Sequence, residues 1–253
     1  MTKATQRRKY KNPPIEEALV EFRFVPSQEW DLTIPGKLHQ HPAIKDNYPG
    51  KPRQQKVVEA AFQTGIEQPP SFAVREGIGR IQLLNDDGKR LLSLGPDVLS
   101  VNILRPYDNW ENFRPRVEAA LTAYRDVANP KAVSRVGVRY INKVTLPKVE
   151  IDLGTYFCYR PPTASGLPDR MAGFMSRVEY VYYDGVKLIL TQASIEAPTG
   201  SSAFLLDLDT IWEGPEPLSL DAVMAMVDVL HEREGVAFEA TITDEARKVF
   251  DAS

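Results

Sequence analysis

The stretch AVSRVGVRYINKVTLP, Ala132 to Pro147, decides the fold. Read with the two-residue period of a β-strand, it places a row of apolar side chains on one side: Val136, Val138, Tyr140, Val144 and Leu146. Three basic side chains fall on the other side: Arg135, Arg139 and Lys143. These basic residues are four apart, as on one helix face, but the many Val, Ile, Thr and Tyr residues favour a strand. We therefore predict a strand with one buried and one charged face.

The segments before and after this strand follow the same order. The first half begins with an alternating strand, Ile15 to Val25, and has a hairpin signal at Asp86–Asp87–Gly88. It ends with an amphipathic helix from Trp110 to Ala128. The second half has the hairpin signal Asp184–Gly185 and a helix from Ser219 to about Arg233. Each half thus consists of a leading strand, a connecting segment, a three-strand meander and a long helix.

This order predicts an α+β protein in which two tandem β-meander-plus-helix units form antiparallel sheets, with helices on one face. The units would comprise residues 1–131, with a basic N-terminal tail, and residues 132–253, and together they would form one compact domain. The similar order of the two halves indicates an internal duplication. If the leading strands are neighbours, they bring acidic and basic residues together: Glu17 and Glu21 with Arg135 and Arg139.

The composition limits the class of protein. Of 253 residues, 43% are hydrophobic and 26% are charged, as in a soluble globular protein. The net charge of -3 argues against a general nucleic-acid binder. No apolar run approaches about 18 residues and no apolar segment follows the basic N-terminus, so we expect a cytoplasmic protein without a membrane span. The single cysteine, Cys158, excludes an intrachain disulfide, and its aromatic neighbours predict a buried, inert thiol.

The best candidate for metal chemistry is the pair Asp207 and Asp209. Two carboxylates two residues apart on a strand project from the same face, close enough to share a divalent cation such as Mg²⁺ or Mn²⁺. Glu179, on the neighbouring hairpin, would supply a third oxygen ligand. The alternative is that the aspartates form a solvated face opposite apolar residues, or that one of them pairs with Arg177. In that case no cofactor is expected.

The basic row Arg135, Arg139 and Lys143 is the second candidate site. On an open sheet face these side chains would hold phosphate groups or an acidic protein surface. If they pair with Glu17 and Glu21 instead, they form a structural ladder of charges.

Two further polar residues are interpreted as structural. Asn142 falls on the apolar side of the strand, where we expect its amide to form a hydrogen bond with a nearby loop. His231 lies near the predicted C-terminal end of a helix, where it would favour the helix dipole.

Four motifs recur together in one bacterial family. They are NPPIEEALVEFRF (Asn12 to Phe24), RVGVRYINK (Arg135 to Lys143), LLDLD (Leu205 to Asp209) and F-x-x-x-I-T-D-E-A (Phe238 to Ala246). In this order they resemble a sporadically distributed bacterial family of proteins of about this length, over nearly the whole chain. The family has no established activity, cofactor or catalytic residues, so the resemblance implies none here. Its patchy distribution is typical of genes carried on accessory or phage-defence islands.

The sequence contains none of the motifs GxxxxGK[ST], GxGxxG, HExxH or GxSxG. We therefore expect a binding or interaction protein whose partner is a protein encoded nearby, as in a phage-defence or toxin-linked assembly. Unpaired meander edges would also allow homo-oligomers. The alternatives are a phosphoesterase or nuclease that depends on Mg²⁺ or Mn²⁺, and recognition of a nucleotide or nucleic acid on the basic sheet face.

Overall fold

The computed structural model describes residues 8–27, 29–63, 71–147, 149–161, 164–168 and 171–251, without the side chains of 56–63 and 71–78. In these ranges the chain forms nine strands: β1 (Ile15–Val25), β2 (Arg53–Gln63), β3 (Ser71–Leu84), β4 (Arg90–Gly95), β5 (Val98–Leu104), β6 (Ala132–Leu146), β7 (Met175–Val181), β8 (Lys187–Ile195) and β9 (Ser202–Trp212). It also forms six helices: α1 (Ile34–Gln40), α2 (Pro42–Lys45), α3 (Trp110–Ala128), α4 (Leu153–Tyr156), α5 (Val223–Thr241) and α6 (Asp244–Asp251).

The strands form one antiparallel sheet in the order β2-β3-β4-β5-β1-β6-β9-β8-β7. The leading strands β1 and β6 lie side by side in the middle, as predicted, with Phe22 opposite Val136. On either side of this pair the meander strands follow in reverse order, β5-β4-β3 and β9-β8-β7. Both predicted hairpins are present. Their turn glycines, Gly88 and Gly185, have φ of 70° and 83°, which residues with a side chain rarely adopt.

The predicted α+β class with antiparallel strands is confirmed, although the strands form a single sheet. The division into tandem units at residues 1–131 and 132–253 stays a prediction, as does the placement of all helices on one face. The predicted bounds of the last long helix are wrong. α5 begins at Val223 and continues beyond Arg233 to Thr241. It continues because Ala237 and Phe238 bury against the sheet and extend the apolar face of the helix.

Apolar side chains from the sheet and from the two long helices form the core. Phe22 of β1 is fully buried in the same cluster as Phe113 of α3 and Leu230 of α5. A second cluster joins β6, β8 and β9 to the end of α5 and to α6, and it contains Leu206, Phe238 and other residues. In the part of the chain described above, no helix is long and apolar enough to cross a membrane.

The predicted burial of Cys158 is wrong. The thiol is exposed, and its Sγ lies 3.4 Å from the carbonyl oxygen of Ile242. The neighbouring Phe157 is the fully buried residue of this segment. Since adjacent residues of an extended segment point in opposite directions, burial of the phenyl ring turns the cysteine outward.

An asparagine caps each end of helix α3. The side chain of Asn109 accepts a hydrogen bond from the Asn112 backbone N–H at 2.8 Å, so Asn109 is the N-cap of the helix. At the other end Asn129 adopts φ 44° and ψ 54°, and its N–H donates to the carbonyl of Arg125 at 2.9 Å. This left-handed cap ends the helix and turns the chain into β6.

We expect Asn129→Ala to lower the free energy of unfolding by about 1 kcal/mol, because alanine adopts the left-handed conformation less readily than asparagine. Asn129→Gly should leave the protein at least as stable as the wild type, since glycine has no β-carbon to oppose this conformation. Urea unfolding of the three proteins measures the difference. An alanine variant as stable as the glycine variant would contradict the assignment of this cap.

Candidate functional site

The predicted basic row lies on the sheet face opposite the core, where Arg135 is part of an ion-pair network. Glu21 of β1 accepts hydrogen bonds from Arg80 and Arg135, each at 2.8 Å. Burial alone would raise the pKa of Glu21, but the hydrogen bond from Arg80 and the charges of the nearby arginines lower it. The interpretation as a structural ladder is therefore confirmed for Arg135.

Arg139 pairs with Asp207 of β9. Its Nε and Nη2 donate to the two carboxylate oxygens at 2.8 and 2.6 Å. Of the acidic residues expected to face Arg135 and Arg139, Glu21 binds Arg135. The carboxylate of Glu17 accepts a hydrogen bond from Asn102 at 2.6 Å instead of binding an arginine. The Arg139 pair is a two-pronged, charge-assisted contact that joins β6 to β9.

Lys143, the third member of the row, lies opposite Leu205 on β9. Among the side chains described above, no carboxylate lies within 4.0 Å of its Nζ. The two arginines, by contrast, already bind carboxylates.

Asp209, two residues after Asp207, has a different environment. One of its carboxylate oxygens, Oδ1, lies above Gly137, close to the guanidinium group of Arg135. No described group donates a hydrogen bond to it. Burial raises the pKa of Asp209 to about 6, and the charges of Arg135 and Arg139 only partly offset this rise.

The predicted metal ligands do not come together in the structure. Asp207 binds Arg139, and Glu179 lies 3.2 Å from Lys187. The register places Glu179 opposite Ile189, which is opposite Asp209, so two strand spacings, about 10 Å, separate the backbones of Glu179 and Asp209. Among the described residues, no group of three or more His, Cys, Asp or Glu side chains is arranged to hold a metal ion. A Mg²⁺ or Mn²⁺ site here stays a prediction.

A cavity of about 460 Å³ lies on the other side of β6. We call it the Tyr140 cavity. The start of α3, the middle of α5 and the segment that precedes β1 surround it. Its walls are formed by aromatic, acidic and amide side chains, among them Tyr107, Trp110, Tyr140, Asn142, His231 and Glu234. None of its lining residues is among the predicted binding or metal-ligating residues.

A chain of contacts between side chains holds one wall of the cavity. The hydroxyl of Tyr107 lies 3.0 Å from that of Tyr140, which in turn lies 3.2 Å from Nδ1 of His231. The imidazole ring of His231 stacks on Trp110 with 3.8 Å between ring centroids and 11° between planes. Tyr140 and His231 are buried, so packing as well as hydrogen bonding fixes the positions of these groups.

Two backbone carbonyls fix the orientation of Asn142 in the cavity wall. Its amide group donates hydrogen bonds to the carbonyls of Leu206 at 3.0 Å and of Tyr140 at 3.4 Å. The predicted bond to a loop is therefore wrong, since both acceptors belong to strands. Because a backbone carbonyl can only accept, the NH₂ group must face the strands, and the Oδ1 atom points the other way. The side chain is 1% exposed, so the surroundings hold it in this orientation.

Glu234 brings a carboxylate into the cavity wall one turn after His231 on α5, and it is 1% exposed. Glu239 is a second acidic residue of the wall. It accepts hydrogen bonds from Tyr10 at 2.6 Å and from Arg247 at 2.8 Å. A buried carboxylate requires compensating positive charge or hydrogen-bond donors, and Tyr10 and Arg247 supply them to Glu239.

The interpretation of His231 as a residue near a helix end is wrong, because α5 continues ten residues beyond it. The longer helix places His231, Glu234 and Phe238 at spacings of three and four residues, on one face that points at the sheet. In the sequence, the polar residues His231 and Glu234 interrupt an otherwise apolar helical stripe, and this was the available sign of a buried site. Together with Asn142 on the apolar side of β6, they indicated a buried polar site.

The cavity has the properties of a ligand site, because it is concave and aromatic and contains a few polar groups held in fixed positions. No protein-family model matches the chain, and no curated protein matches it. The resemblance to a sporadically distributed bacterial family accordingly stays a prediction.

Proposed function

We propose that this is a binding protein and that the Tyr140 cavity is its recognition site. The observation that carries the proposal is the convergence of buried polar groups, Asn142, His231 and Glu234, on a cavity of about 460 Å³ with aromatic walls. A site with its polar groups already in place loses little conformational freedom when a ligand enters, and this favours affinity.

The recognised group belongs to a small molecule or to a side chain of a protein partner. Charged residues form part of the lining, and two of them, Lys9 and Glu111, have exposed side chains that would contact a larger partner. A protein partner encoded nearby, and membership of a phage-defence or toxin-linked assembly, remain predictions. Recognition of phosphate on the basic face has less support, since Arg135 and Arg139 are bound to Glu21 and Asp207.

A thermal-shift screen tests the proposal. The library should contain cationic, anionic, neutral polar and aromatic small molecules. A ligand present at 100 times its Kd stabilises the folded state by about 2.7 kcal/mol, which raises the Tm of a protein of this size by about 5–10 °C. We expect at least one chemical class to produce such a shift in the wild type.

Two matched variants locate the binding. Trp110→Leu alters the cavity, whereas Trp30→Leu alters a different, smaller cavity near Phe24. We expect a ligand to lose its effect on the Tm of Trp110→Leu and to keep it on that of Trp30→Leu. An equal shift in both variants, or no shift with any class of compound in the wild type, would overturn the proposal.

A further inference from the structure

Strand β7 (Met175–Val181) forms one edge of the sheet. β8 pairs with one side of it, and in the part of the chain that the structure describes no strand pairs with the other side. An unpaired edge presents a row of backbone N–H and C=O groups to which a strand of another chain can bind. β7 contains no proline, and its register with β8 runs without a bulge, so the strand lacks two of the features that commonly block such pairing.

The hydrogen bonds between β7 and β8 show which backbone groups of β7 face outward. The N–H of Ser194 donates to the carbonyl of Phe174 at 2.9 Å, and the N–H of Tyr182 donates to the carbonyl of Val186 at 2.8 Å. In an antiparallel pair the N–H and C=O of one residue point to the same side, and successive residues alternate. The even-numbered residues of β7 therefore face β8. The odd-numbered residues turn their backbone groups to the open edge: Met175, Arg177, Glu179 and Val181.

The side chains of these four residues form a row on one face of the sheet, in the order apolar, basic, acidic, apolar. The two ends of the row, Met175 and Val181, are 77% and 65% exposed. Arg177 is also exposed, and the side chain of Glu179 is about half exposed although its Oε1 lies 3.2 Å from Nζ of Lys187. Turning the row end for end exchanges its two charges and leaves apolar residues at both ends. The row is thus complementary to an antiparallel copy of itself.

A second copy of β7 fits this row when a two-fold axis passes through Val178. That register places Arg177 opposite Glu179 of the second copy, and Met175 opposite Val181 of the second copy. Opposite charges and apolar side chains that face each other across two strands stabilise the pair. The register also joins outward-facing residues to outward-facing residues, as a hydrogen-bonded antiparallel pair requires. An axis through Arg177 or Glu179 would instead place like charges opposite each other.

We propose that β7 pairs with β7 of a second copy of this chain, antiparallel about Val178, and that the dimer contains one continuous sheet. Tyr180 and Tyr183, which are exposed at this edge, would add aromatic contact area. Two strands, β9 and β8, lie between β6 and β7, so the Tyr140 cavity at β6 takes no part in the pairing. The inference is therefore independent of the proposed function.

Sedimentation equilibrium of the full chain, from micromolar to millimolar concentration, tests the dimer. We expect the mass of the wild type to rise with concentration from the 28.4 kDa of one chain towards twice that value. Arg177→Glu places acidic residues opposite each other in both charge pairs, and Glu179→Arg places basic residues there. Each variant should weaken association by about tenfold or more. Glu118→Arg makes the same change of charge on α3 and should leave association unchanged.

Two combinations of these variants restore opposite charges across the pair. An equimolar mixture of Arg177→Glu and Glu179→Arg should form a mixed dimer, and the double variant should associate about as tightly as the wild type. Circular dichroism verifies that every variant is folded. A wild type that stays monomeric at all concentrations would overturn the inference, and so would a dimer that both single variants leave intact. Weakened association that neither combination restores would also contradict it.

Discussion

Asp209→Asn should make the protein more stable at neutral pH, by about 1–3 kcal/mol. Burial raises the pKa of Asp209 from its ordinary value of 3.8 to about 6. The carboxyl group of Asp209 therefore ionises at a lower pH in the unfolded chain than in the folded protein. As a result, the free energy of unfolding falls as the pH rises from 3.8 to about 6. Below pH 3.8 the group is protonated in both states and contributes nothing. Asparagine removes the cost of the buried charge.

The same substitution two residues earlier should have the opposite effect. Asp207 is 8% exposed and binds Arg139 through both oxygens, at 2.8 and 2.6 Å. Asp207→Asn removes the negative charge and leaves the guanidinium group without its ionic partner. We expect a loss of about 1–3 kcal/mol, reduced from the value for a fully buried pair because the Arg139 side chain is 39% exposed.

Urea unfolding at pH 7.5 and pH 4.5 measures both effects. The Asp209→Asn variant should gain stability relative to the wild type at pH 7.5 and lose most of that advantage at pH 4.5. The Asp207→Asn variant should be less stable than the wild type at pH 7.5. A loss of stability in both variants at pH 7.5 would contradict the assignment, since it would mean that Asp209 is held as an ion by its arginine neighbours.

Phe22→Ala should be the most destabilising single substitution considered, with a loss of about 3–5 kcal/mol. Phe22 is fully buried in the central strand β1, opposite Leu99 of β5 and Val136 of β6. Its ring packs in the cluster that joins these strands to α3 and α5. Truncation to alanine leaves a void at the meeting point of the two halves, where the surrounding strands are least able to move inward.

Leu19 provides a control on the same strand. It lies on the opposite, charged face and is only partly buried, opposite Arg139. We expect Leu19→Ala to cost about 1 kcal/mol or less. The urea midpoints of the two variants measure the difference. An equal loss of stability in the two variants would contradict the assignment of the core to the face of β1 that packs with α3 and α5.

The alternation of residue types was sufficient to predict the central part of the sheet. In β1 and β6 mainly apolar positions alternate with mainly polar ones, and turn glycines mark both hairpins, so the strands and their buried faces follow from local rules. These local rules did not predict which acidic residue pairs with which basic residue. Arg139 lies within reach of residues on both flanking strands, and the exact register selects Asp207 over Glu17.

The polar residues of the Tyr140 cavity can be found in the sequence one by one, but their assembly into a single cavity does not follow from local patterns. Its walls come from residues about 8–15, 107–111, 140–142 and 231–239, four segments that only the folded sheet brings together. Within its own segment, each lining residue can be interpreted as an ordinary structural residue of a strand, a helix or a loop. The wrong end predicted for α5 removed one further clue, because it placed His231 at a helix terminus and left Glu234 and Phe238 outside the helix.

Fluorine NMR of protein labelled with fluorotryptophan tests most directly the central claim that the Tyr140 cavity is the binding site. The chain contains three tryptophans, and of these Trp110 lines the cavity, whereas Trp30 and Trp212 lie elsewhere. During titration with the compound that stabilises the wild type most, the resonance of Trp110 should move and those of Trp30 and Trp212 should stay in place. Movement of Trp30 or Trp212 while Trp110 stays unchanged would contradict the account.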